Sequence, residues 1–200
     1  MKKTLLTLLA ALPLAASAQV LRIEIPDTTL QNGANLWVGY TYAPLKFDKK
    51  GVFEMDGKDL KNKGMAAVML KDYSFYRVVL EPGKRQNLKI TTKNGKKTVK
   101  YSGDNVAMAE FMNKFEDFSP ARNWDMEQKQ KKKDTISFAD AFKKLDADHE
   151  VLTKMVGKIK DADDQKTCSK SLLMKYLMNK IALQKDYVKA HKLNAKTDPK

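Results

Sequence analysis

Apolar and polar residues alternate along the first half of the chain, as they do in half-buried β-strands. In the first such run, Leu21, Ile23 and Ile25 alternate with Arg22 and Glu24. Similar runs follow at 36–42, 51–55, 65–70, 75–80, 86–92 and 97–101. Seven short strands at fairly even intervals predict an antiparallel β-sandwich over residues 19–103.

Turn residues separate these runs. The strongest turn signal is Asn94 followed by Gly95, because both residue types tolerate the positive φ angles that a tight type I′ hairpin needs. We therefore expect the last two strands to pair as a hairpin.

The apolar period changes from two to three and four after Gly103. Asp104 or Asn105 is suited to cap a packing helix over 104–118, which carries Ala107 and Phe111 on one side. The basic stretch 119–136 has little apolar material, and we interpret it as a solvated connection.

Along the rest of the chain, apolar residues recur at the intervals of three and four that are typical of long helices. One seam repeats at intervals of four and three through Phe138, Phe142, Leu145, His149, Leu152, Val156 and Ile159. A second helix follows the acidic stretch 161–164, so the spacing predicts a helical hairpin and linker over 137–200. Its apolar stripe is wide, and we expect cover from the sandwich, from a second copy in a homodimer, or from sequence outside this chain. The predicted fold class is α+β.

The N-terminus has the pattern of a secretory signal. Lys2 and Lys3 precede an apolar run, and Ala16, Ser17 and Ala18 fit the small-residue pattern of a cleavage site. We expect a cleavable signal peptide over 1–18 and a periplasmic or cell-envelope location. The apolar run is shorter than the roughly 20 residues of a membrane span, and no later stretch predicts a transmembrane segment.

Composition narrows the chemistry. The chain has one cysteine, Cys168, and two histidines, His149 and His191, which have no metal-binding spacing. An internal disulfide, a thiolate zinc site and a dithiol redox centre are excluded within this chain. No nucleophile, base and orienting group can be assembled, so we predict no catalytic residue, no cofactor, no metal and no enzyme activity.

The chain is strongly basic, with a formal net charge of +14. Basic proteins bind nucleic acid through counterion release, but an export signal would separate this one from cytoplasmic nucleic acid, so we predict no nucleic-acid partner. Lys131, Lys132 and Lys133, with other surface lysines, are candidates for binding anionic lipid or polysaccharide. The alternative is a lysine coat that only confers solubility.

Cys168 and the aromatic residues of the sandwich are the remaining candidates. Cys168 shares a helix row with Leu172 and Tyr176, which favours a buried, inert thiol. Nearby lysines leave open a mixed disulfide with a redox partner, or a nucleophile. Trp37 and Tyr73 are candidates for a carbohydrate-binding or peptide-binding surface, and packing against another layer is the alternative for Trp37.

Four segments together resemble a known family. They are VVLEPGK at 78–84, LKI at 88–90, KTVKYSGDN at 97–105 and FMNKF at 111–115. The stretch from Val20 to Phe118 resembles the N-terminal domain of exported TlpA-like thiol-disulfide oxidoreductases. In that family a small β-sandwich and a helical linker precede a thioredoxin domain with a Trp-Cys-x-x-Cys motif.

This chain departs from that family in having no Cys-x-x-Cys motif. The resemblance therefore implies a non-catalytic accessory region that positions or dimerises a thioredoxin-like domain or other redox partner. The alternative hypothesis is a stand-alone periplasmic protein that binds an anionic glycan, a lipid headgroup or a peptide.

Overall fold

The computed structural model describes residues 19–118 and 137–190. The predicted signal peptide over 1–18, the basic connection over 119–136 and the final residues 191–200 lie outside the described residues. Within the described ranges the fold is α+β, with a β-sandwich-like part followed by a C-terminal helical region.

Eight strands form two four-stranded sheets. They are β1 (Gln19–Glu24), β2 (Asn35–Val38), β3 (Thr41–Pro44), β4 (Val52–Asp56), β5 (Gly64–Met69), β6 (Phe75–Leu80), β7 (Gln86–Lys93) and β8 (Lys96–Gly103). Sheet A has the order β4-β1-β7-β8, and sheet B has the order β3-β2-β5-β6. The alternating apolar side chains of both sheets share one core, with Leu21, Ile23 and Ile90 from sheet A and Val68 and Val78 from sheet B.

Two features of this arrangement correct the sequence prediction. The predicted strand at 36–42 is a hairpin, because Gly39 at φ +60° reverses the chain between β2 and β3. Tyr42 therefore pairs with Trp37, and the two side chains lie on the same face of sheet B. The sheets are also not wholly antiparallel, since β1 pairs in parallel with β7.

The predicted hairpin at Asn94 and Gly95 is confirmed. Both residues have positive φ, and Lys93 pairs with Lys96 across the turn.

Two other glycines sit against a neighbouring backbone. Gly51 has φ +75°, and a Cβ there would lie 2.3 Å from the carbonyl oxygen of Ile25. Gly103 has φ +87°, and a Cβ would lie 2.3 Å from the carbonyl oxygen of Arg85. Neither position accommodates a side chain without movement of the chain.

The helices are α1 (Thr28–Gln31), α2 (Val106–Asp117), α3 (Phe138–Val156) and α4 (Ala162–Ala190). Helix α2 starts where the spacing predicts, but Asn105 does not cap it with its side chain. The Asn105 amide instead donates to Glu81. The acidic stretch caps α4, because the Asp161 carboxylate accepts a hydrogen bond from the Asp164 backbone N–H at the start of the helix.

Helix α2 joins the sandwich to the helical hairpin. On one side it contacts β6 and β8. On the other side Phe111 and Phe118 form a second apolar core with Leu145 and Leu152 of α3 and Leu172 of α4. The described residues thus contain two apolar cores, one in the sandwich and one among the helices.

Polar contacts fix the position of α4. It runs antiparallel to α3, since His149 stacks on Tyr176 while Phe138 contacts Tyr187. Near the end of α2, the Lys175 ammonium donates to the Phe115 carbonyl, and the Asn179 amide donates to the Phe118 carbonyl at 3.0 Å. These donors satisfy carbonyl groups that a helix end leaves unpaired.

A charged cluster ties the start of α4 to the sandwich. The Lys63 ammonium contacts the Asp164 carboxylate and lies 3.1 Å from that of Glu81.

None of the helices in 19–118 and 137–190 is long and apolar enough to cross a membrane.

Candidate functional site

Three aromatic rings form a cluster on the outer side of sheet B, opposite the shared core. Trp37 of β2 stacks on Tyr42 of β3, with ring centroids 5.4 Å apart. Phe75 of β6 meets Trp37 edge-on at 6.4 Å. Tyr42 and Phe75 are exposed, and we call these three residues the aromatic face.

Tyr73 lies beside this face, in the turn between β5 and β6. Its backbone has φ +61°, which is unfavourable for a residue with a side chain, and its ring is largely exposed. The turn is anchored from both sides: Asp72 accepts hydrogen bonds from the backbone and hydroxyl of Ser74, and it pairs with Lys97 of β8.

A cleft of about 920 Å³ adjoins the aromatic face at Phe75. It lies between β6, β8 and the C-terminal half of α2, and Met155 of α3 closes one part. It is lined by Tyr73, Ser74, Phe75, Tyr76, Arg77, Val99, Tyr101, Glu110, Asn113, Lys114, Glu116, Asp117 and Met155. An apolar, aromatic floor with a polar rim is the usual composition of a binding site.

Asn113 of α2 holds the walls of the cleft together. Its carbonyl oxygen accepts from the Arg77 backbone N–H at 2.8 Å. Its amide nitrogen donates to the Arg77 carbonyl at 3.2 Å and to the Tyr101 hydroxyl at 2.9 Å. One side chain therefore satisfies the open edge of β6 and also attaches α2 to β8.

Tyr101 contributes a neutral hydroxyl to the cleft. Burial raises the pKa of Tyr101 well above its ordinary value, and the Asn113 hydrogen bond opposes that shift. The hydroxyl therefore keeps its proton at neutral pH. Since it accepts from Asn113, it remains able to donate to a ligand.

Two nitrogen donors on the outer side of sheet B have no hydrogen-bond acceptor among the described residues. They are Trp37 Nε1 and Arg77 Nε, and both atoms are covered. The two residues occupy one row across the sheet, because each pairs with Ala67 of β5. A covered donor without an acceptor costs free energy, so a ligand that supplied acceptors after a small side-chain movement would recover it.

The rim of the cleft is more acidic than the chain as a whole. Glu110, Glu116 and Asp117 contribute three carboxylates, and Arg77 and Lys114 contribute two cations. Arg77 is already paired with Glu116 at 2.8 Å. Carboxylates thus outnumber cations by three to two among the lining residues, although the chain as a whole has a net charge of +14.

Cys168 is not among the residues that line the cleft. It is 4% exposed and belongs to the helical core beside α3. Burial and the neighbouring Asp164 raise the pKa of its thiol, and Lys63 only partly opposes this. A buried thiol with a raised pKa is a poor nucleophile, because the thiolate is the reactive form.

The structure brings together some of the residues that the sequence singled out. Trp37 and Tyr73 both lie next to Phe75, so they belong to one continuous surface. Cys168 is elsewhere, and Lys131, Lys132 and Lys133 lie outside the described residues. Arg77, Tyr101 and Asn113 were not predicted, although the FMNKF segment contains Asn113.

His149 of α3 packs between the helices, where it stacks on Tyr176 with ring centroids 4.1 Å apart. In residues 19–118 and 137–190, no group of three or more His, Cys, Asp or Glu side chains is placed to hold a metal ion.

No family model, curated protein or solved structure matches the chain.

Proposed function

We propose that this chain is a non-catalytic binding module of the periplasm or cell envelope. Its aromatic face and the adjoining cleft hold an extended segment of a partner protein. The observation that carries the proposal is that the aromatic face, with the half-buried Trp37 and the exposed Tyr42 and Phe75, is continuous with the cleft. Aromatic anchors beside a pocket contribute most of the binding energy in many protein interfaces.

The chemistry of the site favours a peptide with apolar and basic side chains. The aromatic floor accommodates apolar groups, and the carboxylates of Glu110 and Asp117 at the rim attract a cation. The Tyr101 hydroxyl and the donors of Trp37 and Arg77 match backbone carbonyl acceptors. An anionic glycan or lipid headgroup fits this rim less well.

A narrower role follows from the resemblance to TlpA-like proteins: an accessory region that positions a thioredoxin-like domain. Burial of Cys168 favours an assisting role over redox turnover by this chain. In that role the extended segment belongs to the redox partner.

The test is a titration followed by the fluorescence of Trp37, in a Trp124→Phe background. The probe is a synthetic heptapeptide with apolar side chains at alternate positions and lysine between them. A twin peptide carries glutamate in place of lysine. We expect the lysine peptide to bind about tenfold more tightly at low salt, with the difference shrinking at high salt.

Variants assign the binding to the proposed surface. Tyr42→Ala and Phe75→Ala should each weaken binding about tenfold or more, whereas Thr98→Ala on the outer side of sheet A should leave it unchanged. Equal affinity for both peptides, or full binding by Phe75→Ala, would reject the site. Binding of a reduced thioredoxin domain that Phe75→Ala abolishes would identify the partner as redox-related.

A further inference from the structure

An apolar stripe runs along α4 on the side turned away from α3. It consists of Leu173, Met174, Leu177, Met178 and Ile181, each between 47% and 63% exposed. The side that faces α3 is formed instead by Cys168, Leu172 and Leu183, which are buried. Helix α4 is thus apolar on two sides, and only one of them is covered within the described residues.

We propose that this α4 stripe pairs with the same stripe of a second copy of the chain, with the two helices antiparallel. Single exposed apolar residues are ordinary, but five on two adjacent turns form a continuous patch. A twofold interface brings the same patch of both copies together, so the patch must be complementary to itself.

The order of residues along α4 meets that requirement around Leu177. Leu173 lies four residues before it and Ile181 four residues after it, so an antiparallel copy centred on Leu177 places each of them opposite the other. Leu177 then meets its own counterpart at the symmetry axis. The apolar stripe is about 12 Å long, which is two turns of helix.

The charges that flank the stripe select this orientation. Lys170 and Gln184 lie seven residues on either side of Leu177, on the same side of the helix. In the antiparallel arrangement each Lys170 faces a Gln184 of the second copy. A parallel arrangement would place Lys170 against Lys170 and Lys166 against Lys166, which is unfavourable.

The area fits a reversible dimer. Five half-exposed side chains of this size present roughly 500 Å² per copy. Two copies would bury roughly 1,000 Å², which is slightly below the range of stable specific interfaces. We expect dimers at roughly 100 μM chain and monomers at roughly 1 μM.

The first test is the mass of the full chain in solution at these concentrations, measured by sedimentation. Leu177→Lys puts two like charges at the axis and should weaken dimerisation at least 100-fold. Val151→Lys is the matched control, because Val151 is 46% exposed on α3 and lies outside the stripe. At about 1 μM chain, where the wild type should be monomeric, both variants should keep the wild-type melting curve, since neither residue is buried within the monomer.

The second test is cross-linking in a Cys168→Ala background. A mixture of Leu173→Cys and Ile181→Cys chains should form mixed disulfides on mild oxidation, whereas parallel helices would join each variant only to itself. A monomeric wild-type chain at 100 μM, or an unchanged dimer in Leu177→Lys, would overturn the proposal. So would a monomer that binds vesicles of anionic phospholipid through the stripe.

Discussion

Asp72 and Lys97 hold the turn that presents Tyr73 beside the cleft. The Lys97 and Ser74 hydrogen bonds lower the pKa of Asp72 from 3.8 to about 2. The folded state therefore favours the carboxylate form of Asp72 more than the unfolded state does. Positive φ at Tyr73 works against the same turn, so the ion pair and the strained residue act in opposite directions.

This predicts a pH window for the contribution of Asp72. A carboxyl group whose pKa is lower in the folded state stabilises the fold above its unfolded pKa and loses that effect as pH falls. Compared with Asp72→Asn, the wild type should be more stable at pH 7, and the difference should shrink between pH about 4 and about 2.

Urea unfolding at several pH values measures the difference. We expect less than about 1 kcal/mol at pH 7, because nearly half of the Asp72 side chain is exposed and water screens the pair. High salt should reduce it further. A constant difference from pH 7 to pH 2 would contradict the pKa assignment.

At the scale of elements, β6 is an edge strand whose open groups are satisfied by side chains. Asn113 pairs with the backbone of Arg77. Gln86, which is 1% exposed, accepts from the Val79 backbone N–H at 2.8 Å. Covering an edge in this way prevents it from pairing with another chain.

Replacing Asn113 tests how much this cover contributes. Asn113→Ala leaves the Arg77 backbone N–H and C=O without their acceptor and donor, so we expect a loss of about 1–3 kcal/mol in unfolding free energy. Asn35→Ala removes only an exposed bond to the Gly33 carbonyl and should cost less than about 0.5 kcal/mol. Equal losses in the two variants would mean that α2 does not depend on this contact.

Strands with one buried side were predictable from the sequence, because alternation records which side is inward. The 36–42 run was not, because apolar and aromatic residues on both sides of Gly39 resemble one continuous strand and conceal the turn at Gly39 and Tyr40. The cleft was also not predictable. It forms where Arg77, Tyr101 and Asn113 meet from three elements, and alternation within one element carries no information about its neighbours.

Helix α2 connects the two parts of the molecule. It contacts β6 and β8 of the sandwich, while its Phe111 is completely buried in the helical core. The charged cluster of Lys63, Glu81 and Asp164 adds a second connection. The sandwich and the hairpin should therefore unfold together.

Phe111→Ala tests this coupling. Loss of a buried phenylalanine costs about 3–5 kcal/mol. We expect the Trp37 fluorescence of the sandwich, in the Trp124→Phe background, and the helical circular dichroism signal to shift by the same amount. Val151→Ala on the surface of α3 should shift neither. Separate transitions for the two signals would show that the cores unfold independently.

The close backbone contacts at Gly51 and Gly103 limit which residues those positions can accept as the sequence evolves. Residues on the protein's exposed surfaces are free to diverge until similarity over the whole chain disappears. At those two positions a Cβ would lie 2.3 Å from a neighbouring carbonyl oxygen, so we expect glycine to be retained there. Two glycines with the spacing of Gly51 and Gly103 should therefore mark distant homologues whose remaining sequence has diverged.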